Sequence, residues 1–238
     1  MPVPRSRDAL GTILIIGASR GLGHAMATEF LKKGWTVIAT VRGNRRTALH
    51  ELASVHGERL QIEQLDVNVP DEIVKLRERL RELHLDILFV NAGTTNANPA
   101  ETIAETSTED FIRVMVTNAL SPMRVIETLE DLVATDGMIG VMSSGQGSLT
   151  NNTKGGHEAY RGSKAALNQL MRSYAARHAD DSRTLLLVAP GWIRTDLGGP
   201  DAPFTIEETV PQIVDMLLAQ KGKPGLRFLD RAGQTVPW

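Results

Sequence analysis

The sequence predicts an α/β fold in which a doubly wound parallel sheet carries helices on both faces. Two observations predict it: short apolar runs alternate with longer amphipathic stretches almost to residue 238, and most of the apolar runs are nearly continuous. Continuous apolar runs are typical of parallel strands that are buried on both faces, and alternating strands and helices imply right-handed βαβ units. No linker, repeat or low-complexity segment interrupts the pattern, so a single domain is expected over residues 12–238.

The apolar runs predict the strands, and the stretches between them predict the helices. Strands are expected at 12–17, 36–41, 60–67, 86–93, 137–144 and 184–191, with a short seventh one in LRFLD (226–230). Helices are expected at 22–33, 45–55, 70–84, 107–134, 159–179 and 206–219, the fourth with a bend or break near Pro122. Residues 1–11 contain two prolines and three charges, and we expect them to form a flexible arm.

Composition excludes several classes of function. The 26 basic residues nearly balance the 28 acidic ones, which gives a net charge of −2, so neither a nucleic acid nor a membrane is expected as a partner. The chain has no cysteine, which excludes disulfides and thiolate sites, and its six histidines show no ligand spacing, so no metal is expected. No apolar run is long enough for a signal peptide or a membrane span, which predicts a cytoplasmic protein.

A glycine-rich turn, 17-GASRGLG-23, follows the first strand and leads directly into a helix. Glycines at 17, 21 and 23 permit a tight turn, close approach of the backbone to a phosphate and close helix–strand packing. The helix N-terminus offers free N–H groups to an anion. The spacing differs from the commoner G-x-G-x-x-G, so an ordinary glycine-rich turn is the alternative. Its position in the first βα unit favours nucleotide binding and a Rossmann-like fold.

The end of the second strand indicates which nucleotide is expected. It reads 38-IATVRG-43, without the carboxylate that usually binds the ribose 2′-hydroxyl of NAD. Arg20 in the glycine turn and Arg42 after the strand are suited to a 2′-phosphate, although either one alone is more often a solvated surface residue. We therefore expect NADP(H) as the preferred cofactor and keep NAD(H) as the alternative. Asp66, after the third strand, is a candidate for binding the adenine amino group, or else a turn or capping residue.

The remaining motifs resemble the short-chain dehydrogenase/reductase family. They are GASRGLG at 17–23, NAG at 91–93, Asn118 in VTNAL, SS at 143–144, YRGSK at 160–164 and PGWIRTD at 190–196. They occur in the family's order along nearly the whole chain. The C-terminal half, including PGWIRTDLGGPDAPFT and the closing QTVPW, is similar to the C-factor and Sniffer-type carbonyl reductase subgroup.

The resemblance implies catalytic roles for four residues. Tyr160 is expected to be the general acid/base, with Lys164 as its electrostatic partner and ribose anchor. Ser144 is expected to donate a hydrogen bond to the substrate oxygen, and Asn118 to hold a helix kink and a water of a proton relay. Independently, a nearby ammonium favours the ionised form of a phenol, whose ordinary pKa is about 10. Chance pairing on a helix and purely structural roles are the alternatives, and Ser143 is the fallback for Ser144.

The resemblance also implies which residues line the cofactor and the substrate. The expected cofactor contacts are Gly17, Ser19, Arg20, Gly21, Leu22, Gly23, Arg42, Asp66, Val67, Asn91, Ala92, Gly93, Tyr160, Lys164, Pro190, Gly191, Ile193 and Thr195. The expected substrate contacts are Gln146, Leu149, Trp192 and Leu197, with a core position as the alternative for Trp192. Ser144 and Tyr160 are sixteen residues apart, farther than is usual in the family, because a polar loop at 145–158 lengthens the connection.

These features together predict an NADP(H)-dependent oxidoreductase that transfers hydride between the nicotinamide and a carbonyl compound or secondary alcohol. The alternatives are an NAD(H)-dependent alcohol dehydrogenase and a nucleotide-binding signalling protein of the C-factor type. The family commonly assembles through its long helices, so a homodimer or homotetramer is expected through 107–134 and 159–179. The substrate's identity depends on loops 94–99, 145–158 and 195–206, which carry no portable code.

Overall fold

Seven parallel strands form one sheet in the computed structural model, which describes residues 9–238. The strands are β1 (Thr12–Ile16), β2 (Thr36–Val41), β3 (Leu60–Gln64), β4 (Leu85–Val90), β5 (Val133–Met142), β6 (Thr184–Ala189) and β7 (Gly225–Asp230). They pair in the order β3-β2-β1-β4-β5-β6-β7. The strand order reverses between β1 and β4, and in such sheets a ligand binds at the carboxyl ends of the strands beside this point. The predicted doubly wound, Rossmann-like sheet is confirmed.

Helices cover both faces of the sheet. They are α1 (Gly21–Lys32), α2 (Ala48–His56), α3 (Pro70–Leu80), α4 (Thr108–Met115), α5 (Ser121–Leu129), α6 (Glu158–Arg177) and α7 (Ile206–Gln220). Successive strand residues point to opposite faces: Leu14 packs in the core under α3, α5 and α6, whereas Ile13 and Ile15 pack under α1, α2 and α7. Because both faces are buried, the central strands β1 and β6 are apolar at nearly every position, which explains the continuous runs in the sequence.

The long helix expected at 107–134 is interrupted, slightly before the predicted position near Pro122. A π-helical turn over Val116–Leu120 joins α4 to α5, and in it the N–H of Ser121 donates to the carbonyl of Val116. Pro122 has no N–H to donate to the carbonyl of Asn118, four residues earlier, which favours a wider turn at this place. The expected break therefore takes the form of a single π turn centred on Asn118.

Several predicted element boundaries were wrong. β5 begins at Val133, where it pairs with Leu85 across a bulge, so the end of the helix predicted at 107–134 and the strand start predicted at 137 were both misplaced. The strands predicted to end at 17, 67, 93, 144 and 191 end one to three residues earlier. At each of these ends the chain leaves the sheet and turns, and several candidate site residues lie in the reassigned turns.

The N-terminal arm predicted at 1–11 falls largely outside the described residues, which begin at residue 9. Its last part contacts the sheet: the N–H of Leu10 donates to the carbonyl of Gly34, and a Cβ on Gly11 would lie 2.7 Å from the ring of Trp35. Among the described residues, no helix is both long enough and apolar enough to cross a membrane.

Candidate active site

The glycine-rich turn between β1 and α1 is held against two neighbouring strands. The N–H of Gly17 donates to the hydroxyl of Thr40 at 2.8 Å, and Nδ2 of Asn91 donates to the carbonyl of Gly17 at 2.7 Å. Gly17 and Gly21 have φ values of 87° and 57°, in the region that favours glycine. A Cβ on Gly23 would lie 2.1 Å from the carbonyl oxygen of Gly17, so a larger residue there would displace the turn.

The N-terminus of α1 offers a site for an anion. Gly21, Leu22 and Gly23 form its first turn, where helical N–H groups have no helical acceptor, and no acidic side chain lies in this turn. Arg20, directly before the helix, pairs with Asp196 from the loop after β6 at 2.8 Å. Their side chains are 76% and 74% exposed, and such exposed pairs contribute at most about 1 kcal/mol. Arg20 therefore remains available to a stronger anionic partner, and the preceding Ser19 is half-buried.

The ends of the adjacent strands β2 and β3 carry a cation and a carboxylate. Arg42 is exposed and makes no hydrogen bond or ion pair with the rest of the chain from residue 9 onward. Asp66 is half-buried and accepts the N–H of Asn68 at 2.9 Å, which is the turn role considered above, while Val67 beside it is buried. Of the two arginines predicted to contact a 2′-phosphate, Arg42 is the one without a partner among the described residues.

Asn118 lies in the π turn, fully buried, and connects two other elements. Its Oδ1 accepts the N–H of Thr94 at 2.8 Å, and its Nδ2 donates to the carbonyl of Thr94 at 2.8 Å and to the hydroxyl of Ser163 at 2.9 Å. The hydroxyl of Ser163 donates in turn to the carbonyl of Tyr160 at 2.7 Å. The side chain of Asn118 thus fixes the loop after β4 to the first turns of α6.

Tyr160, Lys164 and Ser144 lie together at the carboxyl end of β5. Lys164 is 3% exposed, and its Nζ donates to the carbonyl of Met142 at 2.9 Å. The same Nζ lies 5.8 Å from the centre of the Tyr160 ring and 3.5 Å from where a Cβ on Gly93 would be. The hydroxyl of Ser144 lies close enough to the Tyr160 phenol to lower its pKa. The four residues proposed for catalysis from the sequence therefore share one region.

Burial controls the acid–base properties of the tyrosine and the lysine. It raises the pKa of the Tyr160 phenol, and the hydrogen bond with Ser144 lowers that pKa only in part. It lowers the pKa of the Lys164 ammonium to about 8. Burial therefore opposes ionisation of the phenol in the protein alone. The ammonium of Lys164 is directed at the carbonyl of Met142.

The two serines after β5 have different environments. Ser143 is buried, and its hydroxyl donates to Oδ1 of Asn168 at 2.6 Å, while Nδ2 of Asn168 donates to the carbonyl of Gly147 at 3.2 Å. Ser144 is half-buried and lies beside Tyr160. This arrangement supports Ser144 over the fallback Ser143. Sequence reasoning missed Asn168, although its place one helical turn after Lys164 was a usable signal.

The loop after β6 crosses toward the glycine turn. Pro190 is buried, and Gly191 has a φ of 97°, with a hypothetical Cβ only 2.7 Å from the guanidinium of Arg231. Ile193 is buried and forms an isolated bridge with Phe204. Thr195 lies across from the first turn of α1, with its Cγ2 3.9 Å from where a Cβ on residue 21 would be. The post-β6 loop and the glycine turn thus lie against each other.

The predicted substrate contacts separate into two groups. Trp192 is 55% exposed, with its Nε1 donating to the carbonyl of Gly198 at 2.6 Å, and Leu197 is 48% exposed, so the core alternative for Trp192 is wrong. Gln146 and Leu149 instead line a cleft of about 220 Å³ beside the first turns of α6. The N–H of Gln146 donates to the Ser144 hydroxyl at 3.1 Å, and its Oε1 is buried without a hydrogen-bond partner among the described residues.

Two charged residues of α4 that were not predicted hold the loop after β4. Arg113 donates to the hydroxyl of Thr94 at 2.9 Å and to the carbonyl of Thr95 at 2.8 Å, and Asp110 accepts the N–H of Ala97 at 2.7 Å. Arg113 and Asp110 also pair with each other. Their spacing of three on an amphipathic helix was a weak signal, since such pairs usually lie on solvated faces.

Within residues 9–238, no group of three or more metal-ligating side chains occurs.

The sheet, the glycine turn and the Ser–Tyr–Lys group define an oxidoreductase of the short-chain dehydrogenase type. The family model described as short chain dehydrogenase matches residues 11–203, and the chain belongs to this family.

Relatives narrow the resemblance to the expected subgroup. A protein from Burkholderia multivorans, assigned to the short-chain dehydrogenases/reductases and solved with bound NADP, is 61% identical, with a TM-score of 0.95 and 96% of this chain and 99% of that chain covered. The carbonyl reductase Sniffer of D. melanogaster is 27% identical, with a TM-score of 0.86 and coverage of 96% and 99%. C-signal of Myxococcus xanthus is 33% identical over 156 residues, 65% of this chain and 93% of the relative. The predicted similarity to this subgroup is confirmed.

The buried ammonium of Lys164 makes stability depend on pH. Its pKa falls from 10.5 to about 8 on folding, so the unfolded chain binds the proton more tightly, and stability should rise between about pH 8 and pH 10.5. This difference corresponds to a cost on the order of 3 kcal/mol at neutral pH. The charge-assisted hydrogen bond to the carbonyl of Met142 contributes about 1.5–3 kcal/mol in return, which does not exceed that cost. We therefore expect Lys164→Met to be at least as stable as the parent at pH 7 and to lose the increase in stability between pH 8 and pH 10.5.

Urea unfolding of parent and variant at pH 7 and pH 9.5 measures this effect. Lys154→Met removes an exposed lysine from the 145–158 loop and serves as the control, which should keep the parent's rise. A Lys164→Met protein that is less stable than the parent at pH 7, or that keeps the rise, would contradict the burial argument.

Proposed function

We propose that the protein is an NADP(H)-dependent carbonyl reductase, with Tyr160 as its general acid/base. The observation that carries the proposal is the grouping of three functional groups at the end of β5: the phenol of Tyr160, the hydroxyl of Ser144 and the buried ammonium of Lys164. Similarity to a carbonyl reductase, Sniffer, supports a carbonyl compound or secondary alcohol as the substrate.

A carbonyl oxygen that gains negative charge needs a hydrogen-bond donor and a proton. When bound, the nicotinamide supplies or accepts the hydride. Ser144 donates a hydrogen bond to the substrate oxygen, and Tyr160 transfers its proton to that oxygen. Burial raises the pKa of Tyr160, so the phenol is protonated at neutral pH, as reduction requires. Alcohol oxidation uses the same residues in reverse.

Lys164 and Asn118 support the proton transfer. Below its pKa of about 8, the Lys164 ammonium is charged and stabilises the phenolate left after Tyr160 has given up its proton. Lys164 also lies beside the backbone of Gly93, where a cofactor ribose is expected. The side chain of Asn118 is fully used by protein partners, so its main-chain carbonyl, to which Pro122 cannot donate, is the group we assign to holding the water of a proton relay.

The glycine turn fits a dinucleotide. The missing Cβ at residue 23 lets α1 pack closely against Gly17, and the open first turn of α1 offers N–H donors to a pyrophosphate, which Ser19, Gly21, Leu22 and Gly23 would hold. We assign the adenosine part to Arg20, Arg42, Asp66 and Val67, and the nicotinamide part to Asn91, Ala92, Gly93, Tyr160, Lys164, Pro190, Gly191, Ile193 and Thr195. The unpaired Arg42 and the NADP-bound Burkholderia relative favour NADP(H) over NAD(H).

The similarity to C-signal favours a second candidate, a nucleotide-dependent signalling role. Such a role does not need the phenol, the ammonium and the serine hydroxyl in one place. Because Tyr160, Lys164 and Ser144 are all present and adjacent, we rank turnover first.

We further propose a homodimer or homotetramer formed through α4, the π turn and α6. Apolar side chains on this face are exposed, including Ile112 at 54%, Leu120 at 41% and Leu170 at 39%. A cleft of about 340 Å³ on the same face is lined almost entirely by apolar residues: Met115, Val116, Ala119, Leu120, Ala166, Gln169 and Leu170. A second copy of the same face would cover it, as in symmetric dimers.

Removing the phenol oxygen tests the proton donor. We expect Tyr160→Phe to bind NADPH as the parent does and to lose turnover of a carbonyl compound by about 10²-fold to 10⁴-fold. NADPH fluorescence titration and a spectrophotometric assay over a panel of ketones and aldehydes measure the two properties. Tyr174→Phe changes the only other tyrosine and is the control, which should retain turnover. Full turnover by Tyr160→Phe would refute the assignment.

Removing the cation at the end of β2 tests the cofactor preference. We expect Arg42→Ala to weaken NADPH binding by about tenfold or more, since a charge-assisted hydrogen bond is lost, and to leave NADH binding unchanged. Arg124→Ala, at an exposed arginine of α5, should behave as the parent. Tight binding of NADH with negligible binding of NADPH by the parent would overturn the preference.

A charge in the apolar face tests the assembly. We expect Leu170→Glu to convert the parent oligomer to a monomer, because an assembled interface would bury an unpaired carboxylate. Sedimentation velocity measures the change. Val74→Glu introduces the same charge at an apolar residue of α3 that is 52% exposed, and should leave the assembly intact. A monomeric parent would exclude this interface.

A further inference from the structure

The loop at 145–158 joins two residues of the proposed reaction, since it begins after Ser144 and ends in α6, shortly before Tyr160. Its two halves are held differently. The first half is bonded to other parts of the fold, beginning with the hydrogen bond from Asn168 to the carbonyl of Gly147. The second half, 151–158, is exposed and contains three successive residues with positive φ, at 155, 156 and 157. The second half is bonded mainly to nearby residues, as from Nε of Arg161 to the carbonyl of Gly156 at 2.7 Å, so the first half supplies most of the contacts to distant parts of the fold.

The main anchor is the main-chain oxygen of Trp238. It accepts the N–H of Thr150 at 3.0 Å, the hydroxyl of Thr150 at 2.7 Å and the hydroxyl of Ser148 at 3.4 Å. The hydroxyl of Ser148 also accepts the N–H of Asn151 at 3.1 Å. This single oxygen, 88 residues after Thr150 in the chain, thus accepts three hydrogen bonds from the middle of the loop.

Trp238 is itself fixed to the sheet and to α6. After β7 the chain reverses, and the N–H of Val236 donates to the carbonyl of Phe228 at 2.9 Å. The indole ring lies 5.6 Å from the ring of Phe228, centre to centre, and the guanidinium of Arg172 lies 4.7 Å from the indole centre. The ring of Trp238 therefore sits between a buried strand residue and the helix that carries Tyr160.

We propose that Trp238 is a positioning residue for substrate binding, which holds residues 148–150 so that the 145–158 loop forms one wall of the substrate site. The inference rests on the proposed function, because it takes the carbonyl substrate to lie beside Ser144 and Tyr160. Ser144 has supports of its own, from the N–H of Gln146 and from the neighbouring Ser143–Asn168 pair. Loss of the indole should therefore affect substrate affinity and leave the chemical step and cofactor binding largely intact.

Two readouts on the full chain test the proposal. In Trp238→Ala, hydrogen exchange at the amide of Thr150 should become about tenfold faster or more, because its acceptor is no longer held in place. KM for a carbonyl compound turned over by the parent should rise about fivefold or more, with kcat within about twofold, as expected when only ground-state binding is lost. The NADPH dissociation constant should not change.

Matched variants separate positioning from general damage. Trp238→Phe keeps a ring between Phe228 and Arg172 and should restore parent-like exchange and KM. Thr150→Val removes one donor and should raise KM, with no further rise when it is combined with Trp238→Ala, since both act through one contact. Thr153→Val, in the exposed half of the loop, is the control and should match the parent. If Trp238→Ala does not fold, Thr150→Val decides the outcome alone.

Unchanged exchange at Thr150 in Trp238→Ala would overturn the anchor, whatever the parent turns over. Faster exchange with unchanged KM, or equal losses in kcat and NADPH binding, would overturn the role in substrate binding. A parent that turns over no carbonyl compound would instead contradict the proposed function, and the exchange experiment distinguishes that outcome from a failed anchor.

Discussion

The buried carboxamide of Asn118 is the interaction on which the catalytic end of the sheet depends. A buried primary amide is costly unless its donors and acceptor are paired, and here all of them are, with Thr94 on one side and Ser163 on the other. These bonds connect the loop after β4, the π turn and α6. Because α6 carries Tyr160 and Lys164, the placement of both residues relative to β4 follows from this one side chain.

A second constraint acts at the glycine turn, where the start of α1 packs so closely on Gly17 that residue 23 has no room for a Cβ atom. Residue 23 lies against the carbonyl of Gly17, and Asn91, 74 residues later in the chain, donates to the same carbonyl. The strand order makes this contact possible, because β4 pairs directly with β1. The amide of Asn91 and the missing Cβ of residue 23 together hold the turn at the carboxyl ends of the two central strands, beside the group assembled around Asn118.

Burial raises the pKa of Tyr160 and lowers that of Lys164, and the buried charge of Lys164 lowers stability at neutral pH. Burial lowers the pKa of the Lys164 ammonium to about 8, so keeping it charged at neutral pH costs stability. Stability is commonly lower where a site needs an unfavourable group. The substrate side is organised differently: its loops present exposed apolar residues, such as Trp192 and Leu149, and are fastened by hydrogen bonds at a few points.

The sequence by itself determined the order of strands and helices and the location of the glycine turn, Ser144, Tyr160 and Lys164, because periodicity and motifs are local properties of the chain. It could not determine that β5 begins at Val133, since that boundary depends on pairing with Leu85. The sequence could not show that Ser143 is bonded to Asn168 or that burial raises the pKa of Tyr160. It also could not show that the C-terminal Trp238 accepts a hydrogen bond from Thr150. Those features were decided by tertiary structure, because they arise from contacts between distant segments and from desolvation, which exist only once the sheet and its helices have packed.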